Sequence, residues 1–432
     1  MTPDVHHSEA VRRAPKPVAR LVGTIAAISA GGAAVAAVAG FAGLAYAVAR
    51  FVVTPAKSHH ERLRVVAVDR GSATVSLEST PDTRLPGRYG FHFDDGRGYA
   101  RLGDVISDDG RIVVRHIEAV DEGDLSKARR GGFLGWYYRR PADLGLPFTD
   151  VEIATPIGPA PAWLVPPVDA VPTHDEMSDR WAVVVHGRGV VRAETLRGVP
   201  AFREEGYATL VVSYRNDGEA PHSDDHRYGL GLTEWADVEA AVDYAVEHGA
   251  TSVVLMGWSM GGALVLQTAL RSKHRGLIDG LVLESPVVDW RTVLTYQGDH
   301  LHLPRSVQRA VFRILGGARL STITGQSTPI DFDALDLVLG ATKLTAPILL
   351  LHSDDDGFVP STASRALAEA RPDLVDIESY SVARHTKLWN VDPERFDQRI
   401  RGWLRALPAR SSAAPSSGRT ATRGRRSAAD RG

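Results

Sequence analysis

From Leu21 to Ala49 the chain carries no charged residue. This run of Ala, Gly, Val and Leu exceeds the ~20 residues a helix needs to cross a bilayer. A helix bonds its own backbone polar groups, as hydrocarbon requires. The pattern therefore predicts a transmembrane helix over residues 21–49, behind a polar, basic segment of residues 1–20 with Arg12, Arg13, Lys16 and Arg20. Two other readings remain open: a long signal sequence cleaved after Ala45-Tyr46-Ala47, and a buried core helix. Arg50, Lys57, Arg62 and Arg64 answer the basic residues upstream, so the positive-inside rule does not set the orientation. The orientation adopted is a single-pass protein of the cell membrane, with the bulk of the chain outside the cytoplasm.

Residues 62–120 have strand character. Leu63 to Val68 and Ala73 to Leu77 flank a Gly71-Ser72 turn, and Asp109-Gly110 lies between Val105-Ile106 and Ile112-Val113-Val114 as a hairpin signal. This reads as a small β-rich region, a spacer between membrane and main domain. From about Thr149 the period changes. Continuous apolar runs at Trp181–Val185, Ala208–Tyr214, Ser252–Met256, Leu281–Leu283, Ile348–Leu351 and Asp376–Val382 read as buried parallel strands. Between them lie helical patterns, clearest from Leu232 to His248. Strand alternating with helix predicts an α/β fold over residues 149–407, a mostly parallel sheet with helices on both faces. Residues 291–335 interrupt the alternation and include a helical piece, Ser306–Leu315; they read as a short lid. Residues 410–432 are Ser, Ala, Gly, Thr and Arg and are expected to be a disordered tail.

Composition narrows the chemistry. Hydrophobic residues at 44% allow a sizeable core over 432 residues, and a net charge of -2 gives no reason to expect nucleic acid as a partner. The chain has no cysteine, which removes disulfides, thiolate metal sites and a cysteine nucleophile.

One segment carries a specific signal. The strand Ser252–Met256 runs into Gly257-Trp258-Ser259-Met260-Gly261-Gly262 and then a helical stretch, Ala263–Ser272. G-x-S-x-G between strand and helix is the setting of a nucleophile elbow, where a sharp turn presents a serine at the top of the sheet. The helix behind it favours developing negative charge. A nucleophilic serine needs a base, and the base an orienting acid. Both types follow later strands, in His352-Ser353-Asp354-Asp355-Asp356-Gly357-Phe358-Val359-Pro360 and in Ala383-Arg384-His385.

These segments resemble the α/β-hydrolase superfamily over about Thr149 to Leu407, in its serine esterase and prolyl-oligopeptidase-like branches. The resemblance makes Ser259 the nucleophile, Asp356 the acid and His385 the base, with His352 structural. Asp354 and Asp355 compete for the acid's place. Ser353 stands where the family's acid loop usually has glycine. The backbone N–H of Met260 is one expected oxyanion donor. The other is that of Arg188, because His186-Gly187-Arg188-Gly189 resembles the family's H-G-x-x loop. No cofactor and no metal are called for, although calcium at Asp354–Asp356 is a rival for that cluster.

The function expected is a membrane-anchored serine hydrolase acting on carboxylic esters or lipid acyl groups. A peptidase or amidase, an acyltransferase and a catalytically silent membrane scaffold are the alternatives. The partners expected are a small-molecule ester, lipid or peptide substrate and, through residues 21–49, the membrane.

Overall fold

The computed structural model describes residues 39–56, 61–168 and 178–408. Residues 1–20, residues 21–38 of the expected span and the expected tail at 410–432 lie outside them. The first described element is a helix over residues 39–53, α1. It runs four residues past the expected end of the span, through Arg50. Ala45, Ala49, Val52 and Val53 on it are buried in the main core. Among the described residues no helix is long and apolar enough to cross a membrane. The expectation for 21–49 is thus corrected over its last eleven residues, 39–49. A helix that buries one stripe on a protein core fits the core-helix reading there. Cleavage after Ala47 would cut α1 between two buried alanines, Ala45 and Ala49.

Six strands follow: β1 Leu63–Asp69, β2 Thr74–Glu78, β3 Tyr89–Phe93, β4 Gly98–Asp108, β5 Ile112–Glu122 and β6 Arg130–Leu134. They close as a barrel in the order β1-β2-β5-β4-β3-β6. The hairpin expected at Asp109-Gly110 joins β4 to β5, with Asp108 opposite Val113. The barrel runs past residue 120 because β6 is needed to close it, pairing with both β1 and β3. Val75, Leu77, Phe91, Phe93, Ala100 and Leu102 fill its interior.

The main sheet has eight strands: β7 Thr149–Thr155, β8 Gly158–Val165, β9 Arg180–Val185, β10 Ala208–Val212, β11 Ser252–Trp258, β12 Ile278–Glu284, β13 Ile348–Ser353 and β14 Val375–Tyr380. Their order is β14-β13-β12-β11-β9-β10-β8-β7. The six strands from β14 to β10 are parallel, and the β7-β8 hairpin adds antiparallel at the β10 edge. Alternation along β9 sends Val183 and Val185 to one face and Ala182 and Val184 to the other. After α1, the helices are α2 Val199–Glu204, α3 Trp235–Glu247, α4 Met260–Arg271, α5 Trp290–His300, α6 Arg305–Gly316, α7 Thr362–Ala370, α8 Leu388–Val391 and α9 Pro393–Ala406. α1, α3 and α4 share one core with the first face, and α2 and α9 share another with the second. Both faces are therefore covered, as an all-apolar central strand such as β11 demands. Within residues 291–335, α6 buries Val307, Val311, Ile314 and Leu315 and so packs as part of the domain.

Candidate active site

β11 delivers the chain into Ser259, which takes φ 51° and ψ −116°. That region is costly for a residue with a Cβ, about 1–3 kcal/mol. Three backbone bonds hold it: Ser259 N–H donates to Glu284 O, and Ser259 O accepts from Gly262 and Val287, all at 3.0 Å. The glycines are dictated by contact. A Cβ on Gly257 would sit 2.4 Å from Gly261 O, and one on Gly261 would sit 2.4 Å from both His186 O and Val185 O. α4 begins at the next residue, so its N-terminal end lies behind Ser259.

His385 Nε2 lies 3.0 Å from Ser259 Oγ, and its Nδ1 lies 2.7 Å from Asp356 Oδ2. Both polar edges of the imidazole are thereby committed. The other Asp356 oxygen accepts from the N–H groups of Phe358 and Val359, each at 2.8 Å. Burial alone would raise the Asp356 carboxyl. The charge of the neighbouring His385 and hydrogen bonds from His352 and His385 outweigh it and hold the group well below the usual carboxylate range. His352 is buried, with Nε2 3.0 Å from Val359 O and Nδ1 2.9 Å from Ser364 Oγ.

The aspartate run is divided by geometry. Only Asp356 meets His385. Asp354 pairs with Arg365 at the surface. Asp355 Oδ1 accepts from the N–H groups of Ala383 (3.0 Å) and Arg384 (2.8 Å), so it holds the chain just before His385. Ser353 joins it, donating to Asp355 at 2.6 Å and accepting from Ala383 N–H at 3.0 Å.

On the loop after β9, carboxylates take the N–H groups on both sides of Arg188. Gly187 N–H donates to Glu194 Oε2 at 2.7 Å, and Gly189 N–H to Asp217 Oδ2 at 3.1 Å. Among the described residues the N–H groups of Arg188 and Met260 have no hydrogen-bond acceptor. Burial raises the carboxyls of Glu194 and Asp217, the latter to about 6. Burial also lowers His186 to about 4, which keeps it neutral where it stacks on Tyr214 at 4.3 Å.

A second set of groups positions the histidine loop. Arg197, fully buried, donates to Thr386 O at 2.8 Å and to Asn390 Oδ1 at 2.6 Å. Asn390 Nδ2 in turn donates to Arg88 O (2.6 Å) and Gly135 O (2.8 Å), on the barrel side. Asp82, between β2 and β3, pairs with Arg384 at 2.7 Å and approaches Lys387 at 3.7 Å, so it grips both sides of His385. Rather than standing apart as a spacer, the barrel is docked on this loop.

Ser259 opens into a cavity of about 130 Å³. Its walls are mostly apolar, with Trp290, Val293 and Leu294 of α5, Val311 and Phe312 of α6, and Phe358, beside the polar Gln297 and Gln308. Val48, Phe51 and Val52 of α1 complete it. A larger cavity of about 550 Å³ runs beside Gly189, Asp217, His222 and His226, but Ser259, Asp356 and His385 do not line it. Of these two cavities, the smaller is in reach of the serine.

The structure thus brings Ser259, His385 and Asp356 into one hydrogen-bonded chain, with the Arg188 loop beside the serine. Sequence reading passed over Glu194, Arg197, Asp82 and the α1 wall. Asp217 lies inside the stretch of the family resemblance, just past the strand run Ala208–Tyr214, but in none of the motifs that carry it. The other partners had no local signal. Among the described residues Glu239, Asp243 and His274 lie close enough together to hold a metal ion, away from these groups, with Asp243 bonded to Lys273.

Residues 182–399, just over half of the chain, match the model described as Alpha/beta hydrolase family. Residues 64–133 match a Domain of unknown function (DUF8805). Over 98 residues the chain is 33% identical to the "Uncharacterized membrane protein YNL320W" of Saccharomyces cerevisiae, covering 22% of this chain and 32% of that protein. Over 192 residues it is 26% identical to the Homo sapiens "Protein ABHD12B", covering 43% and 48%. The chain therefore spans about a third and about half of the length of these two relatives. Among solved structures, an esterase of Pyrococcus furiosus, Pf2001, is similar over 62% of this chain and 94% of its own, with a TM-score of 0.47 and 19% identity.

Proposed function

This chain belongs to the alpha/beta hydrolase family, and from that premise we propose that it is a serine hydrolase cleaving esters with apolar acyl groups through an acyl-enzyme on Ser259. The observation that carries the reading is the bonded series Ser259–His385–Asp356, opening into an apolar cavity. Ser259 Oγ attacks the ester carbonyl while His385 Nε2 takes its proton. The ionised Asp356 holds Nδ1–H and stabilises the imidazolium. The N–H groups of Met260 and Arg188 receive the oxyanion; each such donor is worth roughly 10²–10³ in kcat. As the tetrahedral adduct collapses, the alkoxide leaves with the proton from His385. Water then attacks the acyl-serine with His385 again as base, releasing the acid and restoring the serine. The apolar walls favour an ester acyl group over a peptide, whose buried amides would find few partners there.

We also read the chain as tethered to a membrane. The part of the uncharged run that precedes α1, residues 21–38, supports this, as does the yeast relative's name. Alkaline washing of membranes bearing the full chain should leave it in the pellet, and its release into the wash would remove the tether.

The test of the chemistry is a fluorophosphonate probe on the full chain in detergent. Ser259 should be labelled, and labelling should fall sharply in His385→Ala. Ser259→Ala should remove both labelling and turnover, by at least roughly 10⁴-fold, in a folded protein. An unlabelled Ser259 in folded wild-type protein would sink the reading in favour of a silent scaffold.

A further inference from the structure

The wall that α1 contributes to the cavity is not a loose cover. Arg188 Nη2 lies 2.8 Å from Phe51 O, 3.0 Å from Val52 O and 3.1 Å from Thr54 O. These carbonyls end α1, where a helix leaves its last acceptors unpaired and its dipole favours a cation. The guanidinium also stacks over the Tyr228 ring at 4.9 Å, and Tyr228 N–H donates to Val53 O at 2.9 Å. Arg50 bonds Thr324 O at 3.0 Å. The inner stripe of α1 is fully packed, with Ala49 and Val53 at 0% exposure, whereas Phe51 at the cavity mouth is 70% exposed. Among the described residues Arg188 is the single charged residue lining this cavity, and its charge is spent on α1.

We propose that α1 is a fixed wall of the acyl site and that Val48 and Phe51 on it set which acyl chains are accepted, the ligand class being the linear hydrocarbon chain of an ester lipid. The inference rests on the serine-hydrolase reading and adds to it that the substrate site is incomplete without the N-terminal helix. One residue joins the two functions: the Arg188 side chain seats the wall, and its backbone N–H is the oxyanion donor of the proposed reaction. A chain lying against Val48 would run between α1 and α5, meeting Trp290, Val293 and Leu294 opposite. Among the described residues no free cation or carboxylate faces it there, and the amides of Gln297 and Gln308, which also line the cavity, already donate to protein acceptors.

The experiment compares p-nitrophenyl acetate, octanoate and laurate on the full chain in detergent, with fluorophosphonate labelling of Ser259 measured in parallel. Val48→Trp fills the channel. It should lower the ratio of kcat/KM for octanoate to that for acetate by roughly tenfold or more, the scale on which apolar pockets discriminate, while Ser259 is still labelled. Val48→Ala enlarges the channel and should move the optimum toward laurate. Because it only removes methyl groups, it answers the question if the tryptophan variant does not fold. Labelling retained with an unchanged chain-length profile in both variants overturns the role of α1 and leaves the serine chemistry standing. Loss of labelling in wild-type protein overturns the chemistry, and this inference with it.

Discussion

At the scale of single residues, the site depends on which aspartate faces which group. Asp356 holds His385, whereas Asp355 holds the backbone leading to it. Asp356→Asn should therefore lower kcat by roughly 10⁴, as expected when the acid no longer selects the imidazole tautomer. Asp355→Ala should cost only about 10–100-fold, by letting His385 drift, with KM little changed in steady-state assays. Equal losses in the two variants would refute this division. Ser353, where the family resemblance led one to expect glycine, uses its hydroxyl to tie the same strand end to Ala383, so the departure is part of the histidine loop's support. Asp217 gives a pH signature. Burial raises its carboxyl from an ordinary value of 3.8 to about 6, so folding favours its protonated form. Stability from this group is fullest below about 4 and falls as pH climbs through about 6. Asp217→Asn should gain in melting temperature relative to wild type as pH rises from about 4 to about 7. A difference independent of pH would show that the carboxyl is not raised.

Among elements, the coupling of barrel to histidine loop is the arrangement least visible beforehand. Arg115 inside the barrel donates to the carbonyls of Thr83 (2.9 Å), Leu85 (2.7 Å) and Gly87 (2.6 Å), which fixes the loop bearing Asp82. Asp82 then meets Arg384 and Lys387. These pairs are partly exposed and worth about 0–1 kcal/mol in stability, so their effect is positional. Asp82→Ala should lower kcat by roughly tenfold while the melting temperature stays within about 2–4 °C of wild type, and an unaltered kcat would leave the barrel without a hold on the site. The elbow, by contrast, was legible from the chain alone, because a reversal from strand to helix needs glycines at fixed offsets and those offsets are local. The central parallel strands were legible because burial on both faces makes them continuously apolar, whereas the edge strand β14, with Asp376 and Glu378, is only partly buried. Arg197 and Asn390 lie 193 residues apart, and Arg88 and Asn390 are separated by 302; no periodicity reports such pairings. The end of the apolar run was misjudged for a related reason. An Ala-rich stripe that buries Ala45 and Ala49 on a protein core has the same hydropathy as one facing lipid.

For the molecule as a whole, α1 belongs to the hydrolase domain although the barrel lies between them in the chain. Full burial of Val52 and Val53 alone contributes about 3–6 kcal/mol as an upper estimate. Removing residues 1–56 should therefore lower the melting temperature by on the order of 10 °C, a shift that scanning calorimetry resolves; an unshifted melt would mean that α1 only rests on the surface. The seat of α1 is built by Arg188, Tyr228 and Thr324, all encoded far downstream. During synthesis α1 leaves the ribosome before any part of its seat, and that seat is complete only when Thr324, 274 residues past Arg50, has followed it. The seat of α1 is therefore among the later parts of the domain to be completed, although the helix itself is among the earlier parts of the domain to be made.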